Sequence, residues 1–264
     1  MNDQPEKLGL KLITSGLSPE NQVYLSNVEI LESTDSTNSF LLTHLKAHPL
    51  SGQVCFAEEQ TQGRGRQGKI WYSPAYTNIY CSLSWCFPTS FQNLSALSIV
   101  CGAVIILALK KLGVQQLGLK WPNDVLYSGR KLAGILIETI ISPHGNLAVI
   151  GIGLNLNLPA EKRSLWASLD EALNIPISRN HVAGILLNEL LTQIPVFQTQ
   201  GLKPFLALCN EHDILRGKEI NAKEISGTVQ GISERGELII LDKNNQQHFL
   251  TSSELSLGSD NRWE

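Results

Sequence analysis

The residues of this 264-residue chain best suited to chemistry lie in one short stretch, Gly63-Arg64-Gly65-Arg66-Gln67-Gly68-Lys69. Its glycines let the backbone take φ > 0 and come close to a ligand. Two arginines set two apart add fixed charge and forked donors that fit carboxylate or phosphate. Such a loop asks for an anion. The pattern does not say which anion, because three familiar loops share it. A dinucleotide fingerprint G-x-G-x-x-G needs a helix after it, and Ile70-Trp71-Tyr72-Ser73-Pro74 does not start one. A phosphate-binding P-loop needs a Ser or Thr hydroxyl after its Gly-Lys, and Ile70 stands there. A kinase glycine loop comes with His-Arg-Asp and Asp-Phe-Gly, and neither tripeptide occurs. A flexible surface turn is the plain alternative, so the flanking elements must decide.

Those elements read as follows. Val28 to Glu32 has strand character. Asp35-Ser36-Thr37-Asn38 then offers several N-cap residue types before an apolar stripe at Phe40, Leu41, Leu42 and Leu45. These side chains serve either as a cap or, with the helix-start amides, as ligand contacts. Gln53 to Glu58 is a strand that delivers the chain to the glycine loop, and Asn78 to Trp85 is the strand that leaves it. Leu117 to Tyr127 reads as one strand interrupted by a rigid Lys120-Trp121-Pro122-Asn123-Asp124 element. A turn at Ser128-Gly129 and a partner strand, Arg130 to Glu138, follow. Leu147 to Asn157 is the last core strand. Glycines at 134, 151 and 153 inside apolar strands point to a ligand or another backbone passing close. Arg163 to about Asn210 has helical spacing, with Asn180 as an expected cap. After Ile214 come short β runs separated by turns, the mark of a small β-barrel.

Composition excludes several classes. Hydrophobic residues at 42% and charged ones at 17% are those of an ordinary globule. A net charge of -3 supplies no basic field for nucleic acid or an acidic membrane. Five cysteines without C-x-x-C argue for free thiols and a cytoplasmic location. The histidines have no metal-ligand spacing, and the N-terminus has no signal-peptide core. Leu94 to Leu109 is nearly uncharged, yet it is shorter than the ~20 residues of a membrane span. Its end at Lys110-Lys111-Leu112-Gly113 is that of a buried helix.

Taken in order, Asp35-Ser36-Thr37-Asn38, Gln60, Gly63 to Gly68, Lys120 to Asp124, Arg130-Lys131-Leu132-Ala133-Gly134 and Gly151-Ile152-Gly153-Leu154-Asn155 closely resemble the biotin–protein ligase family. The resemblance runs from about Val28 to about Leu257. It implies an α+β fold: a mixed, largely antiparallel sheet covered by helices, of the class II synthetase-like kind, plus a small C-terminal SH3-like β-barrel. The implied layout is an N-terminal extension at 1–27, a catalytic domain at 28–211 and the barrel at 212–264. Some family members carry a winged DNA-binding domain at the start, for which fewer than 30 residues are too few. Lipoate and octanoate ligases share the fold, and a biotinyl-AMP-sensing regulator is the alternative of another class.

The implied activity is ATP-dependent. Biotin becomes biotinyl-5′-AMP and is then moved to a lysine of a carrier, commonly the biotin carboxyl carrier protein of acetyl-CoA carboxylase. The resemblance implies biotin contacts at Ser36, Thr37, Asn38, Gln60, Arg64, Gly65, Arg66, Lys131, Gly134, Gly151 and Gly153, the small glycines leaving room for the ligand. It implies a clamp of Arg64, Arg66 and Lys131 on the two reacting anions. It implies nucleotide contacts at Arg66, Trp71, Asn123, Lys131 and Asn155, with Trp71 stacking on adenine and Asp124 acting through Mg²⁺. Lys120 ranks below Lys131 as a ligand. Glu58 and Glu59 read as surface charges, Trp121-Pro122 as a packing wedge, and Arg130 as a cap on the hairpin turn. A homodimer through sheet edges is also implied. Residues 62–69 are expected to order only around ligand.

Overall fold

The chain is described by a computed structural model over residues 5–251, apart from 47–48, 92, 143–144 and 223–224. The outer ends of the expected terminal segments lie outside the described residues. Two short helices, α1 (Leu10–Thr14) and α2 (Pro19–Gln22), precede β1 (Asn27–Thr34), α3 (Thr37–Leu45), β2 (Gln53–Gln60) and β3 (Ile79–Phe87). Then come α4 (Leu97–Lys111), β4 (Leu117–Lys120), β5 (Asp124–Tyr127), β6 (Arg130–Ser142) and β7 (Gly145–Leu154). The helices α5 (Leu169–Leu173), α6 (Arg179–Gln200) and α7 (Leu206–His212) lead to β8 (Glu219–Ala222), β9 (Ile225–Ile232), β10 (Leu238–Leu241) and β11 (Gln247–Leu250).

The first seven strands form one mixed sheet in the order β1-β2-β3-β7-β6-β5-β4, parallel only between β1 and β2. The period-two alternation of strands sorts their side chains onto two faces. Val54, Phe56, Ala148 and Ile150 pack on one face into the main core, with α4 and α6. Cys55, Leu147 and Val149 point the other way and meet Leu41 and Leu45 of α3. The fold is therefore α+β, with a mixed sheet between helices and a separate four-stranded antiparallel sheet, β11-β10-β9-β8, at the C-terminal end. The apolar segment 94–111 is long enough to cross a membrane by composition alone. Here it packs against β4, β5, β6 and α6, and most of α4 is buried.

Three local expectations change. The stretch 117–127 is not one interrupted strand: the chain reverses at Trp121-Pro122-Asn123, and β4 pairs antiparallel with β5. Trp121 is buried and donates from Nε1 to the carbonyl of Gly236, 2.9 Å away, so the wedge joins the two sheets. The cap of α6 is Ser178, which accepts from the amide of His181. Asn180 instead accepts from the Gly9 amide (2.7 Å) and donates to the Lys7 carbonyl (2.9 Å). Glu58 is not a surface charge. It is buried, accepts from the Leu8 amide at 2.6 Å, and lies 2.7 Å from Arg179, an ion contact without hydrogen-bond alignment.

Arg179 also donates to the carbonyls of Asn78 and Glu6. One buried ion pair thus ties the N-terminal segment, β2, the start of β3 and α6 together. Removing one partner strands the other charge in the core, a loss of ~3–5 kcal/mol. Glu58→Gln is expected to show that loss in denaturant unfolding, and a change below ~1 kcal/mol, the ceiling for surface pairs, would contradict the pair's structural role.

Candidate functional site

The face of the sheet that carries α3 opens into a cleft of about 1230 Å³. Three parts of the chain enclose it: the start of α3 with the end of β2, the loop between β2 and β3, and the β4–β5–β6 hairpins. The sides of β8 and of the loop at 164–166 complete the rim.

The α3 wall is polar and internally bonded. Ser36 occupies the N-cap position but makes no side-chain cap bond, so the capping role expected of this run is absent. Thr37 and Asn38 are buried. Gln60 Oε1 accepts from the Thr37 amide at 3.0 Å and from its hydroxyl at 3.2 Å. Its Nε2 donates to Ser73 Oγ at 3.0 Å, and Ser73 donates to the Trp71 carbonyl. On the other side, Asn38 Nδ2 donates to Glu138 Oε2 (2.8 Å) and to the Leu136 carbonyl (3.3 Å). That leaves Asn38 Oδ1 to accept from Ser82, 2.6 Å away. The amides of Gln60 and Asn38 are thereby held in fixed orientations.

The glycine loop is closed by its own backbone hydrogen bonds. The Trp71 amide donates to the Gly63 carbonyl (2.9 Å) and the Gly65 amide to the Lys69 carbonyl (2.7 Å). Its tip, Arg66–Gly68, is a single 3₁₀ turn in which Gly68 takes φ 76. Gly65 is extended at φ -109 and lines the cleft.

The two arginines part company. Arg66 Nη1 donates to Asn123 Oδ1 at 3.4 Å, and Asn123 Nδ2 holds the Ile135 carbonyl at 3.1 Å. Burial pulls the Arg66 guanidinium below its ordinary pKa, and the Asp124 charge partly restores it. Arg64 turns away to Glu138, 2.8 Å from its carboxylate. Lys131 Nζ stands 2.8 Å from Asp124 Oδ1, again without hydrogen-bond alignment. Arg66, Lys131, Asn123 and Asp124 therefore share one side of the cleft, and Arg64 does not join them.

The strand glycines admit close neighbours. Gly134 and Gly153 are cross-strand partners on β6 and β7. A Cβ on Gly153 would lie 2.3 Å from the Trp71 indole, and one on Gly134 2.8 Å from it. A Cβ on Gly151 would lie 2.4 Å from Asn38 Oδ1. Trp71 and Asn38 thus lie against these glycines, all three of which line the cleft. Trp71 Nε1 is buried without a hydrogen-bond partner, and Lys131 Nζ lies 5.1 Å from the indole centroid. Asn155 is occupied with backbone: its amide side chain donates to the Ala167 carbonyl at 3.2 Å, which fixes the rim loop. Arg130 does more than cap the turn. It reaches the Arg163 carbonyl and pairs with Glu171.

Among the described residues no cysteine lines the cleft. Burial pushes Cys55 and Cys209 up to about 12 and raises Cys81 and Cys101 as well. No group of three or more His, Cys, Asp or Glu that could hold a metal is found among the described residues.

Residues 30–157 match the model of the biotin/lipoate A/B protein ligase family. The bifunctional ligase/repressor BirA of Escherichia coli is 36% identical over 224 residues, which cover 81% of this chain and 69% of that protein. The chain belongs to the biotin–protein ligase family. A biotin–[acetyl-CoA-carboxylase] ligase of Mycobacterium tuberculosis is 31% identical over 81% of this chain and 82% of its own length. A biotin protein ligase from Aquifex aeolicus, solved in complex with biotin and ATP, superposes with a TM-score of 0.74 at 29% identity. It covers 87% of this chain and 97% of its own.

Sequence reasoning missed three residues of this ligase's cleft region. Glu138 carried no signal, being one acidic residue in an apolar strand. Tyr72 and Trp166 stack at the rim, 5.9 Å apart and 22° from parallel, with Lys162 over both rings. Trp166 sat in a stretch read only as helical cover. The Trp71–Gly153 contact gives a direct test. Gly153→Ala is expected to cost ~1–3 kcal/mol through overpacking in denaturant unfolding. It is expected to cost little in a Trp71→Ala background, since contacting residues couple. Equal costs in both backgrounds would refute the packing.

Proposed function

We propose that this chain is an ATP-dependent biotin–protein ligase that makes biotinyl-5′-AMP and passes the biotinyl group to a carrier-protein lysine. The observation that carries the reading is the convergence of Arg66 and Lys131 on the side of the cleft that also bears Asp124 and Asn123. A carboxylate and a triphosphate repel each other. Two cations held in a half-buried place, with one carboxylate between them, offset that repulsion and stabilise the charge that develops at the α-phosphorus. In the first step a biotin carboxylate oxygen bonds to the α-phosphorus as the bond to pyrophosphate breaks. In the second, a neutral lysine amine attacks the acyl carbon, AMP departs, and the amine proton passes to water. The product is an amide on the carrier; acetyl-CoA carboxylase is the acceptor enzyme in the name of the Mycobacterium relative, and its biotin carboxyl carrier is the proposed partner here.

The remaining residues fit supporting roles. Ser36, Thr37 and Gln60 present polar atoms to the ureido end, with Asn38 held behind them. Trp71, lying on Gly134 and Gly153, must shift or share that floor with the ligand, and its unpartnered Nε1 then gains an acceptor. Asn123 holds Arg66 toward the phosphates, and Asn155 keeps the rim loop in place. Gly151 admits Asn38. The donor set also fits Mg²⁺: Asp124 Oδ1 lacks a hydrogen bond, and this ion commonly takes one or two carboxylates plus phosphate oxygens. When bound it would neutralise phosphate charge beside Asp124. The C-terminal sheet lends Glu219 and Asn221 to the rim, near the nucleotide side. Pairing of two copies would use the β1 edge, since β4 at the other edge is bridged through Leu119 to Asp213.

Arg66→Ala and Lys131→Ala are each expected to lower biotin-dependent pyrophosphate release by about 10²–10³-fold, the usual cost of one stabilising donor, with the unfolding midpoint near that of wild type. Near-normal turnover in either variant would remove that residue from the clamp. Pyrophosphate release by the wild type without label transfer to a carrier domain would favour a biotinyl-AMP sensor, and preference for lipoate or octanoate would favour the sister activity.

A further inference from the structure

Arg64 and Arg66 leave the glycine loop toward opposite sides of the cleft. Arg66 reaches the β4–β5 turn at Asn123. Arg64 crosses to β6 and meets Glu138, a residue that stands behind Asn38 and does not line the cleft. One oxygen of Glu138 receives both Arg64 and Asn38, each at 2.8 Å. The loop is thus attached across the cleft at two points by residues two apart in sequence. Glu138 neutralises one of the loop's two like charges.

We propose that Glu138 is a positioning residue that latches Arg64, and with it the first arm of the glycine loop, to the polar wall at Asn38. Arg64 is then an anchor, and Arg66 is the loop's cation toward the anionic ligand. The inference deepens the ligase reading where it concerns the ligand, but the latch belongs to the chain without ligand and can be tested there.

The experiment is amide hydrogen exchange over residues 62–71 in the full chain without ligand, for wild type, Glu138→Ala, Arg64→Ala and the double variant. The loop amides of Gly65, Lys69 and Trp71 are hydrogen-bonded and report on opening. Each single variant is expected to speed their exchange by about two- to fivefold, the range of a partly exposed ion pair, and the double variant no more than either. Glu138→Gln, which can still accept from Asn38 but has no charge, is expected to match Glu138→Ala at the loop. In turnover, both single variants should raise KM for biotin by a similar factor, with kcat spared the ~10²-fold loss of a removed clamp donor. Unchanged loop exchange, additive effects in the double variant, or a ~10²-fold fall in kcat for Arg64→Ala alone would overturn the latch. If the wild type released no pyrophosphate with biotin, the ligase reading would fail, and the exchange data would still decide the latch.

Discussion

An uneven meeting of charge governs this molecule. Arg66 and Lys131 share one carboxylate, Asp124, on the side of a cleft where burial already weakens the solvation of the guanidinium. A half-buried cation, its solvation reduced, favours an incoming anion. The β4–β5–β6 meander exists, in functional terms, to hold that imbalance in place. Asp124 pairs with Gly134, and Lys131 with Leu126, so the acid and the amine come from neighbouring strands of a rigid sheet. The glycine loop brings the third charge over the top.

The loop can do so because its surroundings are tied down elsewhere. Glu58 and Arg179 lock β2 to α6 and to the N-terminal segment on the face opposite the cleft. The Gln60 and Asn38 amides are held by backbone, hydroxyl and carboxylate partners. Over these walls lie the closed turn from Gly63 to Trp71 and the aromatic rim of Tyr72 and Trp166. Rigid walls with a small adjustable cover suit the proposed reaction, whose acyl-phosphate intermediate would have to be kept from water.

Much of the fold was legible because period-two strands and a sixteen-residue uncharged run leave clear patterns. The reversal at Trp121-Pro122-Asn123 was not legible: residues 117–120 and 124–127 share one strand-like composition, and only the antiparallel pairing shows that the chain turns back. At α6, Ser178 and Asn180 are both good cap types, and local sequence cannot tell which is used and which is claimed by a distant segment. Glu58 looked exposed because nothing nearby in sequence announces Arg179, 121 positions later. In the cleft, residue types identified the cations and amides but not their directions. Arg64 and Arg66 are chemically alike, and tertiary contacts alone send one to Glu138 and the other to Asn123. Gly134, Gly151 and Gly153 were legible as places of close approach, yet what approaches them is Trp71 and Asn38.

The claim at the centre is that this cleft draws in an anion because its own charges are left uneven. Titration calorimetry of the full chain, first with biotin and then with ATP, tests it most directly. The account predicts one saturable biotin site per chain whose affinity weakens with added salt, followed by ATP heat that depends on biotin being present. Absence of saturable biotin binding, or binding indifferent to both salt and the loss of Lys131, would contradict it.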